Sequence, residues 1–260
     1  MNYKTLVYTK KDDVVTVTLN RPDVHNAMNE VLINELTRCF RQLTTDDSVA
    51  VVILTGNGKS FCAGADLSWM KRMVNYSKVE NRRDSHLLLE MYEAIYSCPK
   101  PLIGRINGHT FGGGIGLLAI CDMTITVPKV LFAFSEVKLG LIPAVISTFV
   151  APRMKQADMR RFFITGERFD SVMANRIGLI DVIVPAEKLD DIVKSCVEQV
   201  RSSSPYAIKE VKHLINNLIE MDIKKYKEVT VEKISELRVS KEGQEGINAF
   251  LQKRKPNWKR

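Results

Sequence analysis

Apolar and polar positions along the chain switch repeatedly between a period of two and a helical period. Val14–Leu19 alternates β-branched residues and runs into the turn Asn20-Arg21-Pro22-Asp23, which reads as a strand and its exit. Residues 28–43 place Met28, Val31, Leu32, Leu36, Phe40 and Leu43 at helical spacing. Residues 49–54 form a buried strand closed by Thr55-Gly56-Asn57-Gly58, and strand, helix, strand is the order of a right-handed crossover. Residues 75–84 are polar without a clear period and read as a mobile segment or a cover over a site. Residues 85–96 carry the helical stripe Leu87, Leu88, Met91 and Ile95, ended by Cys98-Pro99-Lys100-Pro101 because proline disfavours helix before it. Strands follow at 101–106, 123–127 and 131–134, and 159–184 continues the alternation of helix and strand. Residues 189–200 make an amphipathic helix, and Ser204-Pro205 supplies an N-cap and a first-turn proline for a tail that is helical to 250. The pattern predicts an α/β core over 1–200 and a helical region over 201–260.

One stretch organises the rest. Residues 107–136 hold a strand end, the run Gly112-Gly113-Gly114, a short apolar helix, a strand and the carboxylate of Glu136. Glycines between strand and helix let a backbone approach a ligand where a Cβ would clash. They also leave the first N–H groups of the helix outward, with the positive dipole end behind them. Such a site suits a phosphate or an oxygen that gains charge during a reaction, and the residues by themselves leave both open. Ser60-Phe61-Cys62-Ala63-Gly64-Ala65-Asp66 is a second small-residue segment after a strand, with Asp66 placed to cap the segment beginning at Leu67.

Composition narrows the setting. An apolar fraction of 45% and a charged fraction of 26% over 260 residues are those of a soluble globular chain. No apolar run approaches the roughly 20 residues needed to span a bilayer. Residues 1–11 lack the apolar centre of a secretion signal and the bias of a transit peptide. The five cysteines are scattered and lack C-x-x-C spacing, so free thiols in a reducing, cytoplasmic setting are expected instead of disulfides or a zinc site. The formal charge of +8 favours an anionic partner. Part of it sits in Lys253-Arg254-Lys255 and Lys259-Arg260, which read as a solvated ending; no zinc-finger spacing or aromatic RNA signature points to nucleic acid.

Taken together in order, residues 60–66, Asn107-Gly108 through Gly114, Cys121-Asp122 and the segment from Ser135-Glu136 to Pro143 resemble the crotonase superfamily, which includes the enoyl-CoA hydratases and isomerases. The resemblance runs nearly end to end, from Asn20-Arg21-Pro22 to residues 245–256. It implies a spiral of ββα units with a C-terminal helical region that builds trimers, often paired as hexamers. It further implies an acyl-CoA thioester substrate, with coenzyme A as part of that substrate and neither metal nor separate cofactor. By motif position, the backbone N–H groups of Ala65 and Gly113 would form an oxyanion hole for the thioester carbonyl, worth on the order of 3 kcal/mol each. Ala63 would lie against the adenine, and the phosphates of CoA would account for the basic charge.

Hydratases of the usual kind in this family hold a water between two glutamates. The later one is present as Glu136, whereas Gly116 stands where the first is expected. One reading has Glu136 handle the protons alone while the room at Gly116 admits a branched acyl group. Members of leucine and terpenoid degradation that act on methylglutaconyl-CoA-like substrates resemble the chain around residues 61–70 and 135–147. A second reading is isomerisation of 3-enoyl-CoA to 2-enoyl-CoA, which needs one base and no water. The first is preferred. A reading of another class is a CoA or RNA binder without catalysis.

The remaining candidates carry ordinary alternatives. Trp69, Met70 and Tyr76 line an acyl pocket or pack in the core; Asp122 holds the fold; His109 is packed or solvated. Asp66 contributes to the site or serves as a cap. Lys71 and Arg72 meet a distal carboxylate or form a solvated face. Phe250 and Lys253 contact CoA from a neighbouring subunit, and Gly112 and Gly116 border the substrate.

Overall fold

Alternation and crossover order fold into two sheets between which the chain hops. The computed structural model describes residues 2–258; Lys259 and Arg260 of the basic ending lie outside them. The chain begins with β1 (Leu6–Lys11), β2 (Val14–Leu19), α1 (Glu30–Thr45), β3 (Val51–Gly56), β4 (Ser60–Cys62), α2 (Leu67–Met73) and α3 (Lys78–Tyr96). It continues with β5 (Leu102–Ile106), β6 (His109–Phe111), α4 (Gly113–Ala119), β7 (Met123–Thr126), β8 (Leu131–Ala133), α5 (Ala144–Val150) and α6 (Gln156–Thr165). Then come β9 (Phe169–Asp170), α7 (Ser171–Arg176), β10 (Val182–Ile183), α8 (Leu189–Arg201), α9 (Pro205–Glu220), α10 (Ile223–Val239) and α11 (Lys241–Leu251).

The larger sheet has the order β1-β2-β3-β5-β7-β10 and the smaller β4-β6-β8-β9. All pairings are parallel except β1 with β2 and β8 with β9. The pairs β3/β4, β5/β6 and β7/β8 each step from the larger sheet to the smaller, and helices carry the chain onward. This is the α/β spiral of ββα units that the resemblance implies. β3 and β5 are buried along almost their whole length, as central parallel strands covered on both faces must be.

Two elements differ from expectation for local reasons. β1 shows mostly exposed positions and so gives almost no hydrophobic signal. α3 begins at Lys78, not near 85, because Ser77 and Glu80 form a reciprocal capping box that satisfies the first orphan N–H groups. Of the two expectations for residues 75–84, a mobile segment or a cover over a site, the second fits: from Lys78 they are helical, and Asn81 and Asp84 line a cavity. α1 starts after Asn29, whose side chain accepts from Leu32 N at 3.0 Å, so Met28 falls outside the helix.

The main core holds Phe40, Phe61, Tyr92, Phe132 and Phe134, all fully buried. A smaller cluster packs Leu189, Val193 and Val197 of α8 on Val51, Ile103 and Ile125. Asp122 ties the fold, accepting from Leu102 N at 2.6 Å and from Lys212 Nζ of α9 at 2.8 Å. α9, α10 and α11 expose Val211, Ile215, Val231, Ile234 and Phe250. Among the described residues no helix is long and apolar enough to cross a membrane.

Candidate active site

The glycine run has a different reason at each position. Gly112 sits between β6 and α4 with φ +49°, in the region that favours glycine. A Cβ on it would lie 3.3 Å from Glu136 Oε1, so this residue borders the carboxylate. A Cβ at Gly113 would meet Met28 Cε at 2.7 Å, and one at Gly114 would meet the Cys62 carbonyl at 2.4 Å. Packing against the protein itself, not ligand approach, demands glycine at 114 and constrains 113.

Ala65 is held by a short parallel bridge to Met28, flanked by Met28 N to Gly64 O at 2.6 Å and Asp66 N to Met28 O at 2.8 Å. Beneath it Asp66 caps α2, accepting from Ser68 N at 2.7 Å and Trp69 N at 3.2 Å, and it pairs with Arg21 at 2.7 Å. Burial works to raise the Asp66 carboxyl, but these donors together hold it below the usual aspartate range. Asp66 does not line the cavity; it locks the Ala65 strand to the Asn20-Arg21-Pro22 turn.

The cavity above measures about 640 Å³, and Ala63, Ala65, Gly112, Gly113 and Glu136 line it together with Trp69 and Met70. Among the described residues, neither the Ala65 nor the Gly113 N–H has a hydrogen-bond acceptor in the protein. Glu136 lies in a 3-10 turn, Glu136–Leu139, with Oε2 buried and without a hydrogen-bond partner. Burial pushes its carboxyl above the ordinary glutamate value. A desolvated acid and two unpaired N–H donors in one cleft are the parts needed to move a proton next to an oxygen that gains charge.

Gly116 is not at the cavity wall. A Cβ there would meet Ile146 Cγ2 at 2.6 Å and the Tyr92 ring at 2.9 Å, so the expected extra room for a branched acyl group is filled by those side chains. Tyr92 escaped the sequence reading, although it falls on the α3 stripe four residues after Leu88. Its hydroxyl donates to Gly113 O at 2.7 Å, and burial holds its pKa well above the ordinary tyrosine value. His109 is packed, its Nδ1 accepting from Leu131 N at 3.0 Å. Arg72 grips Glu30 through both carboxylate oxygens, at 2.6 and 2.7 Å. Lys71, Arg72 and Tyr76 are absent from the cavity lining, as are Phe250, which is 82% exposed on α11, and Lys253 just beyond it.

Comparison with known proteins agrees with this geometry. The enoyl-CoA hydratase/isomerase family matches residues 9–260. A solved enoyl-CoA hydratase of Shewanella pealeana superposes with a TM-score of 0.93 at 37% identity, covering 98% of this chain and 96% of that one. The short-chain-enoyl-CoA hydratase of Clostridium acetobutylicum is 31% identical over 98% of this chain and 97% of its own. The crotonyl-CoA hydratase of Syntrophomonas wolfei is 30% identical over 99% of each. The chain belongs to the enoyl-CoA hydratase/isomerase family and has the crotonase fold. It is an enzyme, an enoyl-CoA hydratase or isomerase.

Proposed function

We propose that the chain hydrates a 2-enoyl-CoA with Glu136 as its single acid and base. The carrying observation is the buried, unpartnered Glu136 Oε2 in the same cavity as the free N–H groups of Ala65 and Gly113. Glu136 takes a proton from water as the hydroxide oxygen adds to C3. The C2=C3 electrons move onto the thioester oxygen, where the two N–H donors meet the developing charge. Glu136 then returns its proton to C2. CoA belongs to the substrate, so the scheme needs no metal and no resident cofactor.

For the acyl group, the lining contains neither Lys nor Arg among the described residues to pair with a second carboxylate, and it contains Asp84. This weighs against a methylglutaconyl-like chain, and against leucine degradation with it, and favours an uncharged acyl group. The isomerase reading has its own support: Tyr92 and Ile146 fill the place of a second carboxylate, so water has one holder only. Assays of 2-enoyl and 3-enoyl thioesters, branched and carboxylated ones included, separate the readings. Hydration of an uncharged 2-enoyl-CoA is expected; turnover of 3-enoyl thioesters alone would replace hydratase with isomerase. A catalytically idle CoA or RNA binder would turn over neither, and RNA affinity would fall steeply with salt.

The exposed apolar side chains of α9, α10 and α11 support a homotrimer or hexamer built on residues 201–260, which would bring Phe250 and Lys253 to a neighbour's CoA. Sedimentation at several concentrations tests this, and a monomer throughout would refute it. Five free cysteines, four of them buried, fit a reducing compartment such as the cytoplasm.

A further inference from the structure

One residue of the segment before α1 bears on both free N–H donors. Met28 is buried, and its main chain acts on Ala65. Met28 N donates to Gly64 O at 2.6 Å, and Asp66 N donates to Met28 O at 2.8 Å. The Gly64 carbonyl and the Ala65 N–H belong to one planar trans peptide, so they point opposite ways. A carbonyl held on Met28 therefore fixes the direction of the Ala65 N–H.

The side chain of Met28 acts on Gly113. A Cβ at Gly113 would lie 2.7 Å from Met28 Cε and 3.1 Å from the Tyr92 hydroxyl, so both groups pack directly against that residue. The Tyr92 hydroxyl is 4.0 Å from Met28 Sδ and gives its only proton to Gly113 O at 2.7 Å. The thioether thus stands between the Ala65 segment and the start of α4, backed by a hydroxyl that is itself bonded to Gly113. An unbranched thioether chain suits such an irregular gap. Two donors serve one oxygen only at a set separation, and a misplacement of about 1 Å can cost on the order of 10²-fold in rate.

We propose that Met28 is the positioning residue of the oxyanion hole. Its main chain aims the Ala65 N–H, and its thioether, with Tyr92 behind it, sets the distance from there to the Gly113 N–H. This rests on the enoyl-CoA reading of those two N–H groups given above. Gly113 has no side chain of its own to hold that distance, so its neighbours must hold it.

The absorbance of a bound conjugated thioester reports the hole without turnover. In a Glu136→Gln background, a 2,4-dienoyl-CoA should absorb at longer wavelength when bound, because donors at its carbonyl draw charge along the chain. Adding Met28→Ala or Tyr92→Phe should remove most of that shift while the thioester still binds. With Glu136 in place, each change should lower kcat by about tenfold or more and leave KM within about twofold. Met28→Leu, which keeps the volume, should recover most of kcat. The double variant should be no slower than the slower single one, since both changes act on one separation. Tyr92→Phe provides the test if Met28→Ala does not fold. A lower melting temperature with unchanged shift and kcat would make both residues packing alone and overturns the proposal. Losses that multiply in the double variant also overturn it. A thioester that binds the Glu136→Gln parent without any shift removes the oxyanion hole, and the proposal with it. Failure to bind any thioester would instead sink the CoA reading.

Discussion

The Tyr92 hydroxyl donates a 2.7 Å hydrogen bond to the carbonyl of Gly113, and its ring fills the space in which a side chain at position 116 would stand. One aromatic residue thereby does two things. It fixes the peptide that follows the Gly113 N–H, and it closes the place of a second carboxylate.

Restoring that carboxylate by Gly116→Glu should therefore fail. The new Cβ would lie 2.6 Å from Ile146 Cγ2 and 2.9 Å from the Tyr92 ring, inside a packed core. Overpacking of this kind costs about 1–3 kcal/mol, so the melting temperature should fall and hydration should not improve. A gain in turnover at unchanged stability would show that the space is open after all.

Much of this arrangement was legible along the chain, because hydrophobic period reports burial. β2 has its expected bounds, and α8 and α9 begin where the pattern places them. Asp66 caps α2 as its spacing implies. What periodicity could not report is contact between distant segments. Tyr92 is one apolar position among several on α3 until folding brings it against Gly113 and Gly116. The glycines at 113 and 114 read as ligand space in one dimension, whereas Met28 and Cys62 claim that space in three. α3 starts early because a capping box, not an apolar stripe, sets its beginning.

Glu136→Gln should reduce turnover by about 10²–10⁴-fold, the usual loss on removing a general acid and base, while leaving CoA binding nearly intact. The same change should stabilise the fold at neutral pH. Burial raises the Glu136 pKa in the native state, so its neutral form is favoured there more than in the unfolded chain. The resulting stability is fully present below the ordinary glutamate value and is lost as pH rises through the native one. Denaturant titrations across that window should show the variant's advantage growing with pH and then levelling. An advantage that is constant with pH would contradict the raised value.

Asp66 has the opposite sign. Its donors hold the native carboxyl below the usual aspartate range, so its contribution is present above the unfolded value and lost as pH falls through the native one. Asp66→Ala removes a helix cap and leaves Arg21 without its partner, a loss of about 1–3 kcal/mol. Because Arg21 and Asp66 anchor the Ala65 strand, turnover should fall as well, with no direct contact between Asp66 and the cavity. Urea unfolding at neutral and acid pH checks the sign: the difference between parent and variant should shrink on acidification.

The sharpest test of the oxyanion hole compares two substitutions at one residue. Gly113 is the first residue of α4, a position where proline is tolerated because its N–H has no helical partner. Gly113→Pro removes the donor, whereas Gly113→Ala keeps it. Both introduce a Cβ that must displace Met28 Cε, the flexible end of a side chain, from 2.7 Å. Proline lacks the N–H and sets its ring Cδ where that hydrogen pointed, so it should be slower than alanine by at least roughly 10²–10³-fold. Equal rates in two folded variants would mean that the thioester oxygen does not rest on Gly113, and the charge would have to be met by other donors in the cleft.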